Sequence, residues 1–256
     1  MKKILILGAG GFIGSYIAPR LSKNNIVMSV AKPGIDVTDA AAVRNILEIS
    51  QPDIVINCLT FGGNENVNSN DPSIVAKNLA MYYNFKSNSN LFGRYINIGS
   101  GVEKDYSNNS AYAFSKRMIS RDLHLEPGKF TNLKLFGCFG SDEKDSRLLK
   151  RFLASDGPFV LTNDREFDYI YIGDFYKIIE YVINNDYHHR QIDCVYKKKR
   201  TLSEFLRLFC DINNIDKEII VESTSNTPYI GDSTTLDFLP DLDLYGIMYG
   251  MKEYMK

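Results

Sequence analysis

Ile4-Leu5-Ile6-Leu7 runs directly into Gly8-Ala9-Gly10-Gly11-Phe12-Ile13-Gly14, and that junction decides the fold. Four apolar residues are too few for a membrane span or for the core of a signal peptide, but they suit a strand buried on both faces. The glycines that follow permit a tight turn and close approach of backbone to a ligand. A helical pattern begins at Gly11 and runs to Ser22, so the turn opens a helix whose free N–H groups and dipole favour an anion. A lone glycine triplet carries little weight. Set between a first strand and a first helix, it predicts a loop for the pyrophosphate of a dinucleotide, with Gly8, Gly11, Phe12, Ile13 and Gly14 as the cradle.

Outward from that loop, Ile26–Val30, Asp53–Asn57, Tyr95–Ile98 and Leu133–Phe136 are further strand candidates, alternating with helical stretches Ala40–Ile49, Ser73–Lys86 and Ala111–Leu123. Alternation of this kind implies βαβ crossovers and a doubly wound, mostly parallel α/β sheet of Rossmann type, with ligands at the carboxyl ends of its strands. Past residue 140 the pattern loosens. Phe167–Ile172 reads as a strand and Phe175–Ile183 as a helix, followed by Gln191–Tyr196, Leu202–Asn213, Glu218–Glu222 and a closing helix Tyr245–Tyr254. The expected division is a dinucleotide-binding domain over 1–140, completed by about 165–190, and a small substrate-binding α/β lobe from 141–164 and 191–256.

At 256 residues the chain can bury a self-sufficient core. Thirty basic against 31 acidic residues leave a net charge of -1, which argues against a nucleic-acid or membrane footprint, so any bound anion has to be held locally. Cys58, Cys138, Cys194 and Cys210 form no CxxC pair, the usage expected of reduced thiols in a cytoplasm. No metal site is expected: His124 and the pair His188-His189 lack ligand spacing to another His or Cys.

Tyr112-Ala-Phe-Ser-Lys116 carries the chemistry, with Ser100 twelve positions upstream of Tyr112. On a helix, positions four apart share a face. An ammonium beside a phenol favours the phenolate, which brings a tyrosine's proton exchange toward neutral pH. A serine hydroxyl can hold the same substrate oxygen. The spacing alone suits a solvated helix face equally well, and it gains meaning from the dinucleotide loop.

Taken together, Gly8-x-x-Gly11-x-x-Gly14, Asp36-Val37-Thr38-Asp39, Pro52-Asp53-Ile-Val-Ile-Asn57, Ser100 and Tyr112-x-x-x-Lys116 resemble the extended short-chain dehydrogenase/reductase family over nearly the whole chain. Later stretches match in order: Arg165-Glu-Phe-Asp-Tyr-Ile-Tyr-Ile-Gly-Asp174 is similar to that family's strand into the second lobe, and Thr201-Leu-Ser-Glu204 to its cap helix. Within it, the pattern looks most like the reductases that finish nucleotide-linked deoxysugars, the dTDP-4-dehydrorhamnose reductase branch. The resemblance implies Ser100, Tyr112 and Lys116 as the catalytic set. It implies Asp36, Val37, Leu59, Thr60 and Asn78 beside the cofactor, Asn78 as support for the lysine, and a homodimer.

Two departures matter. The second strand ends in Ala31-Lys32, where an acidic residue would hold the ribose 2′-hydroxyl of NAD. Lys32 instead suits a 2′-phosphate, so NADP is expected, with NAD as the alternative and a solvated turn as the competing role of the lysine. Gly99-Ser100-Gly101-Val102-Glu103 lacks the Thr-Asp-Glu signature of the related dehydratases, so water elimination loses its expected acid. Lys197-Lys198-Lys199-Arg200, Arg147 and Arg165 are alternative partners for a substrate diphosphate, against the plainer role of solvated charges. Thr60 and Phe61 follow the third strand on the expected nicotinamide side. The principal expectation is NADP-dependent reduction of a nucleotide-linked keto sugar of the 4-keto-6-deoxyhexose type, with Tyr112 as proton donor. The alternatives are an epimerase that retains NAD and a non-catalytic dinucleotide sensor.

Overall fold

The computed structural model describes residues 1–30, 34–63, 70–125, 128–185 and 191–256. In chain order the elements are β1 (Lys3–Leu7), α1 (Phe12–Leu21), β2 (Ile26–Val30), α2 (Ala40–Ser50), β3 (Ile54–Asn57), α3 (Ser73–Ser87), β4 (Arg94–Ser100), α4 (Ala111–Leu125), β5 (Phe130–Leu135), β6 (Gly137–Phe139), α5 (Leu148–Ala154), β7 (Phe159–Leu161), β8 (Tyr169–Tyr171), α6 (Ile172–Asn184), β9 (Gln191–Asp193), α7 (Leu202–Asn213), β10 (Ile219–Val221) and α8 (Ile247–Tyr254). The expected parallel, doubly wound α/β architecture is what forms: a six-stranded sheet in the order β2-β1-β3-β4-β5-β9.

Ile4 to Leu7 are buried on both faces, each side chain contributing about 1.5–3 kcal/mol by leaving water. Register follows from that burial. Ile4 sits opposite Val27 on one side and Ile54 on the other, and a slip of one residue would exchange every face. Val43 and Leu47 of α2, Met81, Tyr82 and Phe85 of α3, and Ile119 and Leu123 of α4 bury their stripes in one core with Leu5, Leu7, Val55 and Tyr95 of the sheet. The start of α2 is capped by Asp39, which accepts from Ala41 N (2.8 Å) and Ala42 N (3.2 Å). Its end is turned by Gln51 at φ 40° just before Pro52.

Two strands run beyond their apolar signals, and β4 ends at Ser100, two residues past the expected Ile98. β5 begins at Phe130, three residues before the expected Leu133. Thr131 and Asn132 hid its start, because polar residues inside a buried strand read as loop. Asn132, and Lys134 within the expected stretch, are buried and partnered: Asn132 by Asn97, Lys134 by Gln191.

The contacts divide the chain into two compact units, Met1–Lys134 with Ile183–Ile192, and Leu135–Val182 with Asp193–Lys256. In the second unit β6 pairs with β8 and β7 with β10, both parallel. Its core is aromatic, with Tyr169 stacked on Phe205 at 4.4 Å between ring centroids. A capping box between Thr201 and Glu204 starts α7. The last helix is held at both ends: Asp174 accepts from the N–H groups of Tyr245 and Gly246 (2.6 and 2.9 Å), and Tyr254 donates to Glu143 (2.8 Å).

Candidate active site

β1 and β3 are neighbours while β2 lies on the far side of β1, so the direction of winding reverses between β1 and β3. Crevices at such reversals are where open α/β sheets take ligands. The glycine loop occupies this place. Gly8 has φ +78°, and a Cβ on it would stand 2.9 Å from Leu59 N, so the turns after β1 and β3 touch through backbone. A Cβ on Gly14 would meet Gly8 O at 2.2 Å and Ala9 Cα at 2.7 Å. Only hydrogen there lets α1 begin against the turn, with Gly11 as its N-cap. This bare backbone cradle at a helix N-terminus fits a pyrophosphate. Gly8, Gly11 and Gly14 form it with the first turn of α1, which includes Phe12 and Ile13.

Tyr112 lies in the first turn of α4, its ring against the loop that follows β3. A Cβ on Gly63 would come within 2.8 Å of Tyr112 Cζ, and both Gly62 and Gly63 have positive φ. Lys116, one turn on, places Nζ 5.8 Å from the Tyr112 ring centroid and donates to Ile98 O at 3.2 Å. Ile98 is two residues before Ser100, where β4 ends. Lys116 is only 5% exposed. Burial pulls its ammonium below the usual lysine range, with Glu103 and then Cys58 opposing. The Cys58 thiol itself is pushed up to about 12 by burial, against the pull of Lys116.

Asn78 ties these pieces together. Its side chain accepts from Phe61 N (2.9 Å) and donates to Phe61 O and to Ser115 Oγ (2.9 Å each), while Ser115 donates to Tyr112 O (2.8 Å). The β3 loop and the first turn of α4 are thus fastened through one buried amide. Leu59 packs against the core and Thr60 is exposed at the strand's exit. Asp36 spends its carboxylate on Thr38, whose hydroxyl and N–H hold it below the ordinary carboxylate range, and Val37 is a core side chain. Lys32, and His188 and His189, lie outside the described residues.

Glu103 had no role in the sequence reading beyond marking the missing dehydratase signature. In the structure it is buried, its Oε1 accepting from Ser100 N (2.8 Å) and its Oε2 from Asn132 Nδ2 (2.9 Å), with Lys134 Nζ 3.6 Å away. Burial raises its carboxyl above the ordinary range, and Lys134 and Lys116 pull against that. Ser100-x-x-Glu103 has the spacing of a capping box, and that was the local signal for this residue, though nothing near it announced its burial; the paired glycines Gly62-Gly63 were a readable signal for the Tyr112 wall. Glu103 and Lys134 also line a cavity of about 650 Å³ with Arg117, Arg121 and Gln191.

Of the other candidates, Lys199 is committed to Asp168 (2.6 Å) and Gly231 O (2.9 Å), and Lys197 pairs with Asp237 at the surface (2.7 Å). The guanidinium of Arg165 stands 5.5 Å from the ring centroids of both Phe167 and Tyr229. Arg147 is the N-cap of α5. Among the described residues no group of three His, Cys, Asp or Glu could hold a metal ion, and no helix is long and apolar enough to cross a membrane.

Residues 4–194 match the model of the NAD dependent epimerase/dehydratase family. The chain belongs to this family. The resemblance to extended short-chain dehydrogenases/reductases is borne out at that level, and with it an NAD(P)-dependent enzyme. A curated relative, the spore coat polysaccharide biosynthesis protein SpsK of Bacillus subtilis (strain 168), is 26% identical over 100 residues, spanning 38% of this chain and 35% of the relative. Two solved structures share the fold at low identity. The dTDP-4-dehydrorhamnose reductase of Bacillus anthracis str. Ames, in complex with NADP, superposes with TM-score 0.79 at 14% identity, covering 100% of this chain and 98% of that one. The UDP-glucose 4-epimerase of Thermotoga maritima with UDP-glucose gives 0.79 at 15% identity, covering 98% of each chain.

Proposed function

We propose that this member of the family is an NADP-dependent reductase of a nucleotide-linked keto sugar, with Ser100, Tyr112 and Lys116 as its catalytic residues. The observation that carries the reading is the buried Lys116 ammonium held between the Tyr112 ring and the end of β4, two residues from Ser100. A lysine on a merely solvated helix face would be exposed. The nicotinamide, when bound, supplies the hydride. The chain's own part is the proton: the Tyr112 hydroxyl donates to the carbonyl oxygen being reduced, and the Ser100 hydroxyl orients that oxygen by a second hydrogen bond. The Lys116 charge stabilises the phenolate left behind. Gly8 to Gly14 hold the pyrophosphate and Lys32 the 2′-phosphate.

The proposal extends to a cytoplasmic enzyme, in keeping with four widely spread cysteines that form no CxxC pair. It extends also to a homodimer, in keeping with the exposed Tyr83 of α3 and Phe114 and Met118 of α4. Tyr112→Phe tests the centre: turnover of nucleotide keto sugars falls by about 10²–10⁴ while dinucleotide affinity is kept. Near-normal turnover in this variant removes Tyr112 from the reaction. Stoichiometric NADPH consumption marks the reductase, whereas tightly retained NAD with no need of added reductant marks the epimerase.

A further inference from the structure

Three carboxamides cross the sheet in single file. Leu59 N donates to Asn57 Oδ1 (3.1 Å), Asn57 Nδ2 to Asn97 Oδ1 (3.1 Å), Asn97 Nδ2 to Asn132 Oδ1 (2.7 Å), and Asn132 Nδ2 to Glu103 Oε2 (2.9 Å). The backbone N–H at the head can only donate, so it orients the first amide and through it the next two. A file so oriented has to end on an acceptor, and Glu103 is its terminus. The second oxygen of Glu103 accepts from Ser100 N at 2.8 Å. Two oxygens that both face N–H donors, with the Lys134 ammonium 3.6 Å from one of them, favour the carboxylate over the acid. Aligned hydrogen bonds polarise one another toward that anionic end.

The charged groups around it come from each packed element. Lys134 of β5 is the direct partner at 3.6 Å. A Cβ on Gly99 would meet Glu103 Oε1 at 2.6 Å, and the preceding carbonyl, Ile98 O, takes the Lys116 Nζ at 3.2 Å, so Lys116 of α4 is the other cation within its field. The Cys58 thiol after β3 faces Lys116 but stays neutral, its titration pushed up to about 12. Polar neighbours are Asn132 of β5 and Ser120 of α4, which lie 3.4 Å apart. Glu103 is therefore the principal anion available to a Lys116 ammonium that has left water.

Resting on the catalytic reading above, we infer that Glu103 is a positioning residue for the Ser100, Tyr112 and Lys116 set. Its carboxylate clamps the Ser100 main chain at the end of β4 and supplies the counter-charge that lets the Lys116 ammonium sit buried beside Tyr112. A glutamate that only closed the turn Gly101–Glu103 would be replaceable by glutamine, whose amide oxygen accepts the same Ser100 N–H. The charge is what glutamine lacks.

The test follows the Lys116 side chain directly, by NMR of its Cε carbon in the full chain, in a Tyr112→Phe background so that no second proton is released beside it. Glu103→Gln lowers the Lys116 titration by at least about one pH unit, the scale of one neighbouring opposite charge. Glu103→Asp keeps the charge and restores most of the shift. An unmoved Lys116 titration overturns the inference. If the glutamine variant does not fold, the carboxyl carbon of Glu103 is read in the wild type, assigned by its loss in Glu103→Asp: an ionised signal at pH 7 supports the inference and a neutral one ends it. None of these readouts needs turnover. A fully active Tyr112→Phe enzyme would sink the catalytic reading, whereas a fixed Lys116 would sink only the role of Glu103.

Discussion

Gly14→Ala isolates the backbone contact on which the dinucleotide loop depends. The added methyl would lie 2.2 Å from Gly8 O, 2.7 Å from Ala9 Cα and 2.8 Å from Gly8 C, all backbone. An ordinary contact is about 3.5 Å, so the turn after β1 and the start of α1 must part by roughly 1 Å. Overpacking of this kind costs about 1–3 kcal/mol. At about 2–4 °C per kcal/mol for a chain of this size, the midpoint of thermal unfolding drops by about 5 °C. The same displacement carries the N–H groups of the first helical turn away from the pyrophosphate. Loss of one hydrogen bond to a charged oxygen is worth about 1.5–3 kcal/mol, or roughly ten- to a hundredfold in NADPH affinity. Gly11→Ala is the internal comparison. Its methyl meets Gly8 O at 3.4 Å, which needs little movement, and φ at Gly11 is -87°, which alanine adopts freely. The cost there is the N-cap preference, up to about 1 kcal/mol. Unfolding followed by circular dichroism without cofactor, and NADPH titration by fluorescence, supply both numbers for both variants. Equal midpoints and equal affinities would refute the argument from the Gly8 to Gly14 contact.

Glu143 predicts a pH dependence of stability in the second unit. Burial pushes its carboxyl from 4.5 up to about 7, with the Tyr254 hydrogen bond and then Arg147 and Lys150 opposing. A raised folded value means the stabilisation is complete below about pH 4.5 and is lost as the pH climbs through about 7, at most about 3 kcal/mol. Glu143→Gln keeps the acceptor for Tyr254 and removes the titration, so its unfolding midpoint overtakes that of the wild type between pH 5 and 8; parallel curves would refute this. Lys32→Ala is expected to erase most of the preference for NADPH over NADH in cofactor titrations, and an unchanged ratio would remove Lys32 from the account.

What could be read in advance was local. Ile4–Leu7 followed by a glycine turn gave away the first strand, the loop and the sheet type, because each depends on residues adjacent in the chain. Tyr112 and Lys116 were legible as a pair because a helix brings positions four apart together. β5 was shifted toward its apolar end because nothing near Thr131 or Asn132 reveals that the fold will bury them. Asn57 and Asn97 fell within expected strands, but nothing near either revealed that they would pair with each other.

The sequence by itself determined the parallel α/β fold, the glycine loop that opens α1 and the spacing of a tyrosine and a lysine, since short-range periodicity and backbone permissiveness encode all three. Only the tertiary structure decided which polar groups enter the core. Asn57, Asn97 and Asn132 sit on three strands, 40 and 35 residues apart, and Glu103 closes their file. That arrangement exists only once β3, β4 and β5 are in register, because desolvating each polar group is tolerable only where the next strand supplies its hydrogen bond.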